Sequence, residues 1–243
     1  MSLDGQRVIV IGASAGIGEA TARSFAAAGA HVIITGRAKE RLDAAAERVG
    51  YPVETHELDA TDTPAVAAFF DAIDPVDHLV LAASPGAVGL GPLADLLEAD
   101  LRRAFDGKFF AHVTVLKAAL PKLRAGGSVT IITAASARMA IPGSAGLAAV
   151  NGALESVVPP LAVELAPLRV NAVSPGIIDT PWWDFLPGDQ RTAMFEATAA
   201  STPAGRAGKP EDVAGAVLFL AGHPFLTGTV LPVTGGANLP TGR

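Results

Sequence analysis

Short apolar runs rich in Val and Ile alternate along the chain with longer stretches whose apolar residues recur every three or four positions. The first kind reads as buried strand and the second as amphipathic helix. On this pattern strands are predicted at Arg7–Ile11, His31–Thr35, Val53–Glu57, His78–Ala82, Ser128–Thr133, Arg169–Val173 and Thr229–Val233. Helices are predicted near 16–28, 38–49, 63–73, 95–123, 145–166 and 210–221. Strands that are apolar at nearly every residue need both faces covered. Alternating with helices, they predict one α/β domain over residues 1–243, a doubly wound, Rossmann-like parallel sheet of about seven strands. The long stretch 174–208 shows no clear period and is expected to be irregular, with a lid near 177–208. Pro159-Pro160 interrupts the 145–166 pattern, and interior prolines at about 3 kcal/mol each predict a kink there.

Composition narrows the picture. Half of the 243 residues are hydrophobic, enough for a full core. No uninterrupted apolar run is long enough for a bilayer and the N-terminus has no signal-peptide pattern, so a soluble, cytoplasmic protein is expected. A net charge of −6, without a basic patch interleaved with aromatics, argues against nucleic acid as partner. The absence of cysteine excludes disulfides, thiolate nucleophiles and zinc–thiolate sites. The five histidines lack metal-ligand spacing and read mostly as strand-edge or surface residues, so no metal site is expected.

Candidate chemistry begins at Ile11-Gly12-Ala13-Ser14-Ala15-Gly16-Ile17-Gly18, between the first strand and an Ala-rich helix. Gly12 permits a tight turn, Gly16 admits a pyrophosphate to the backbone amides, and Gly18 lets helix and strand approach closely. The G-x-x-x-G-x-G spacing resembles the short-chain dehydrogenase/reductase family. Further resemblance lies in Asp59 of Leu58-Asp59-Ala60, in Arg169-Val170-Asn171-Ala172-Val173-Ser174-Pro175-Gly176, in Gly205–Ala214 and in Thr227-Gly228…Gly235-Gly236. It covers nearly the whole chain. It implies a nicotinamide coenzyme, with Ser14 facing the ribose and the Ile17 amide the phosphates. Asp59 and Ala60 would lie beside adenine, Pro175 and Gly176 under the nicotinamide, and Ile178 and Thr180 near its carboxamide and the phosphates. It also implies a homodimer or homotetramer.

Charge at the second strand selects between coenzymes. NAD-binding chains usually carry an acidic residue there; this chain has Gly36 followed by Arg37, and a guanidinium matches a 2′-phosphate. NADP(H) is therefore expected over NAD(H).

The resemblance fails where the family places its Asn–Ser–Tyr–Lys tetrad. In the register set by Ile141-Pro142-Gly143 and Ser174-Pro175-Gly176, the Tyr position is Leu147, the Lys position Asn151, the Ser position Ala134 and the Asn position Lys108. The lone tyrosine, Tyr51, lies before the third strand. Lys108 is the candidate catalytic group, either as proton donor and oxyanion partner or merely paired with a carboxylate or coenzyme oxygen. His112, one turn on, reads as a packing residue. Asn151 is expected to hold the nicotinamide ribose. Ser136, Leu147, Trp182 and Trp183 are expected around a small substrate, the tryptophans covering a flat or apolar molecule or anchoring the lid. Two functions follow: an NADP(H)-dependent oxidoreductase with a substituted site, acting on a carbonyl, imine or activated alkene, or a non-catalytic nucleotide-binding, sensor or assembly protein.

Overall fold

A computed structural model describes residues 2–239. Seven parallel strands form one sheet: β1 (Arg7–Ile11), β2 (His31–Gly36), β3 (Glu54–Glu57), β4 (Val76–Leu81), β5 (Leu123–Ile132), β6 (Arg169–Pro175) and β7 (Val230–Val233). Eight helices accompany them: α1 (Gly16–Ala27), α2 (Lys39–Val49), α3 (Thr63–Ala72), α4 (Glu98–Ala104), α5 (Ala111–Ala119), α6 (Ala145–Glu164), α7 (Gly188–Ser201) and α8 (Pro210–Gly222). Strand order is β3-β2-β1-β4-β5-β6-β7. The chain thus winds one way to β3 and then returns past β1, which pairs Ile9 with Ile33 of β2 on one side and with Leu79 of β4 on the other. A crevice opens at the carboxyl ends of β1 and β4, where the order reverses.

Alternation along the strands builds a core on each face of the sheet. Ile9, Ile11, Leu79 and Leu81 pack with Val66 and Phe70 of α3, Val115 of α5 and Leu154 and Val158 of α6. Val8, Val10, Val32 and Ile34 pack on the other side with Phe25 of α1 and Val213 and Val217 of α8. Full burial of each such side chain stabilises by about 1.5–3 kcal/mol.

Four expectations need correction. The predicted helix over 95–123 is divided: α4 passes into a π-helical segment, Phe105–Phe110, then α5, and Leu123 already opens β5. Gly107 lies inside this segment, where Pro85 approaches so closely that a Cβ would stand 2.7 Å from Cβ of Pro85. The stretch 174–208 is not irregular throughout, since α7 occupies fourteen residues of it. No residue of α7 is buried, so it carries no apolar stripe for a periodicity argument to find. Helix α6 runs unbroken through Pro159 and Pro160. Both prolines are exposed, so their rings lie on the outer side of the helix and not in the core. The same helix is long and apolar enough by length and composition to cross a membrane, although it packs Leu154, Val158 and Ala162 into the core. Among the histidines, His78 is buried and not at a strand edge or the surface, while His112 is buried as a packing residue should be.

Candidate functional site

The loop after β1 is shaped as a cradle that side chains would fill. Gly12 has φ +84°, and a Cβ on it would lie 2.6 Å from the Ala83 amide nitrogen. A Cβ on Gly18 would lie 2.2 Å from the Gly12 carbonyl oxygen, so α1 and the loop touch backbone to backbone. Gly16 has φ +59° and faces Thr180, whose Cβ would be 3.2 Å from an added methyl. The amides of Gly12 and Ala13 both donate to the Thr35 carbonyl, at 3.1 and 2.9 Å, which pins the turn to β2. The first amides of α1, on Gly16, Ile17 and Gly18, have no intrahelical acceptor and face the crevice end. This is the geometry for a pyrophosphate.

The residues expected around an adenosine lie beside it. A Cβ on Gly36 would sit 3.3 Å from Cβ of Ser14, so the end of β2 abuts the loop. Arg37 follows, exposed and in no ion pair among the described residues. Asp59 receives two hydrogen bonds on one carboxylate oxygen, from the Thr61 amide at 2.9 Å and the Thr61 hydroxyl at 2.8 Å. Burial pushes its carboxyl up, but those bonds and the charge of Arg37 prevail and hold it below its ordinary value. Ala60 is buried next to it. Pro175 ends β6, with Gly176 close against Thr234, while Ile178 pairs with Gly208 and is buried.

On the α6 side of the sheet lies a polar cluster. The π-helical segment delivers Lys108, whose Nζ donates to Asn151 Oδ1 at 2.7 Å and approaches the Thr133 carbonyl at 3.5 Å. Neither acceptor carries charge. Burial lowers the Lys108 pKa to about 8, partly offset by the field of Glu155. Asn151 is itself fixed, its Nδ2 donating to the Leu147 carbonyl at 2.8 Å and to Ser136 Oγ at 3.3 Å. Lys108, Asn151, Ser136 and Leu147 therefore meet as expected of neighbours in one site, although Asn151 is occupied with Lys108. His112 donates from Nε2 to the Ala83 carbonyl at 3.0 Å, and its buried Nδ1 has no partner among the described residues. Burial and the nearby Lys108 lower its pKa to about 3, so it is neutral and packs the helix.

Glu155 was not singled out by the sequence. One turn beyond Asn151 and buried, it accepts from Thr133 Oγ1 at 3.0 Å, from Ser174 Oγ at 2.8 Å and from Arg138 Nε at 2.6 Å. It ties the ends of β5 and β6 to the loop that carries Ser136. The only advance signal is a carboxylate four residues after Asn151 on an otherwise apolar helix face.

The lid tryptophans divide their work. Trp183 Nε1 donates to the Ile178 carbonyl at 2.9 Å, which ties the 181–183 turn to the segment after β6. Trp182 packs edge-on against Trp183 and Phe185, with centroids 4.6 and 5.5 Å apart. A separate open cavity of about 450 Å³ lies at the start of α6, lined by Leu93, Met139, Ile141, Pro142, Ala145 and Ala148 among others. It is overwhelmingly apolar, and neither tryptophan lines it.

Comparison with known proteins matches this geometry. A sequence profile described as enoyl-(acyl carrier protein) reductase covers residues 12–238. The chain belongs to the short-chain dehydrogenase/reductase family. Galactitol 2-dehydrogenase (L-tagatose-forming) of Cereibacter sphaeroides is 35% identical, with 96% of this chain and 95% of that protein aligned. Gluconate 5-dehydrogenase of Gluconobacter oxydans is 32% identical, over 98% of this chain and 96% of its own length. A solved small-chain dehydrogenase in complex with NADPH superposes with a TM-score of 0.84 at 30% identity, covering 98% of this chain and 100% of that one. The short-chain dehydrogenase/reductase fold thus accounts for essentially the whole chain, including the glycine cradle and the β6 turn. Its members bind a nicotinamide coenzyme, and the cradle described above fits one.

Proposed function

We propose that this chain is an NADP(H)-dependent oxidoreductase in which Lys108 replaces the usual tyrosine as proton donor to the substrate. The observation that carries this reading is the 2.7 Å contact of Lys108 Nζ with Asn151 Oδ1. In the family frame the long helix before β5 supplies an amide and α6 supplies an amine. Here Lys108 and Asn151 stand in the reverse places, and the two groups still meet. The cation is retained at the floor of the site but reaches it from the opposite helix.

A nicotinamide coenzyme, when bound, supplies or receives the hydride. Gly12, Gly16, Ile17 and Gly18 would hold its phosphates and Ser14 and Arg37 its adenosine ribose and 2′-phosphate; the NADPH-bound relative supports that choice. Asp59 and Ala60 would flank adenine, and Pro175, Gly176, Ile178 and Thr180 the nicotinamide end. With a pKa of about 8, Lys108 is mostly protonated at neutral pH and can give a proton to an oxygen or nitrogen that gains charge. The Ser136 oxygen accepts from Asn151, which leaves its own proton free to orient a substrate carbonyl or imine. Leu147 contributes an apolar wall where the tyrosine would stand. The apolar cavity between Leu93 and Ala148 favours a small hydrophobic or aromatic substrate. A soluble, cytoplasmic homodimer or homotetramer completes the proposal.

The test is NADPH oxidation over a panel of apolar ketones, aldehydes, imines and activated alkenes. Turnover is expected, and Lys108→Met should lower kcat about 10²–10⁴-fold, the usual contribution of a general acid, with NADPH affinity nearly unchanged. Tight NADPH binding with no turnover on any of these substrates would instead establish the nucleotide-binding reading, which the replacement of all four tetrad residues favours.

A further inference from the structure

A carboxylate sits beside the helix end that would receive a phosphate. Glu19 lies in the first turn of α1, directly after the glycine cradle, and is only 8% exposed. Its charge suits the helix dipole, but unbalanced it would offset the positive end and repel an anionic pyrophosphate arriving at the free amides. Arg48 at the end of α2 grips it. Arg48 Nε lies 3.2 and 3.1 Å from the two Glu19 oxygens, Nη2 lies 2.8 Å from Oε2, and the same Nη2 reaches the Ser14 carbonyl at 3.4 Å. Arg23, one turn along α1, adds a weaker contact to Glu19 at 3.4 Å and is shared with Glu211 at 3.6 Å. The Arg48 side chain is half exposed, and its Nη1 makes no hydrogen bond among the described residues.

We infer that Glu19 and Arg48 form a charge-balancing pair that sets the phosphate affinity of the cradle, Arg48 cancelling a carboxylate that would otherwise repel the coenzyme. The inference rests on the coenzyme reading above. Arg48 is a positioning residue, acting through Glu19 and Ser14. The pair ties α2 to α1 at the point where Ser14 meets Gly36, so its net charge is felt by the pyrophosphate and, still more, by a 2′-phosphate beside Arg37. Removing either charge alone should move affinity in opposite directions, which loss of structure cannot do.

The experiment measures Kd for NADPH and NADH by calorimetry on the full chain, at low and high salt, with thermal unfolding to verify folding. Glu19→Gln keeps a hydrogen bond to Arg48 and unmasks its charge, and should tighten NADPH about three- to tenfold. Arg48→Met should weaken NADPH about tenfold and NADH less. The double variant Glu19→Gln/Arg48→Met should return to within about twofold of wild type. All three effects should shrink at high salt. Folded Glu19→Gln that binds NADPH no better than wild type, or an Arg48→Met defect indifferent to salt and coenzyme, would overturn the inference while wild-type binding upholds the coenzyme reading. Wild-type protein that binds neither coenzyme would overturn that reading, and this inference with it.

Discussion

Replacing Lys108 by methionine should make the protein more stable while disabling it. The ammonium is partly desolvated on the site floor, and its pKa falls from 10.5 to about 8. That fall corresponds to about 3 kcal/mol of penalty for keeping the charge in the folded state, an upper bound because Lys108 is only partly buried. Methionine matches the length of the stem and needs no hydration, but it leaves Asn151 Oδ1 without its donor, a loss of about 1 kcal/mol. The net expectation is a gain of about 2 kcal/mol at pH 7. The sign with pH follows from linkage. Folded Lys108 binds fewer protons than the unfolded chain between about pH 8 and 10.5, so the wild-type penalty is full below 8 and vanishes as pH rises through that window. Urea unfolding of both proteins across this range measures the difference, in which the other titrating groups cancel. A variant less stable than wild type at pH 7, or a gain that does not shrink above pH 8, would refute the assignment of Lys108 as a desolvated cation. The same variant should lose turnover, the usual opposition between a working site and a stable one.

Three further outcomes are expected. Gly18→Ala forces a methyl to within 2.2 Å of the Gly12 carbonyl, so coenzyme binding by calorimetry should be lost or fall at least about tenfold, with a drop in thermal midpoint. Leu154→Ala, at a position 1% exposed between α6 and the sheet, should cost about 2–5 kcal/mol in urea unfolding. Burial holds His78 at a pKa of about 4 and His112 at about 3, so the unfolded chain binds more protons below pH 6.5; together they should remove about 4 kcal/mol of stability between pH 8 and 5, and His112→Phe should halve that loss.

The fold was legible because its strands are apolar at almost every position. All seven were predicted in place, and the errors are at the ends: β5 begins five residues early because Gly126 and Gly127 let the chain bend against Asp77 before the main pairing begins. Helix α7 was invisible because it buries nothing, and the π-helical segment because one glycine in a long helical pattern does not reveal that Pro85 presses on it. At the site, the cradle glycines were readable from spacing, whereas the meeting of Lys108 with Asn151 needed two helices brought together across 43 positions. Glu155 and the Glu19–Arg48 pair escaped for the same reason. Charged residues on helices read as solvated until a neighbouring element covers them.

The π-helical segment also limits how this site can change. Each residue of a regular helix advances about 100° around the axis, and the wider turn at Phe105–Phe110 absorbs one residue more than a regular turn would. Deleting a single position there would restore an ordinary ladder and leave Leu101 and Ala104 in phase with His112, but it would turn the residues inside the segment, Lys108 among them, about the axis. Drift in this segment is therefore confined to substitution, because a loss beside Gly107 would repair the helix and still part the ammonium from its amide.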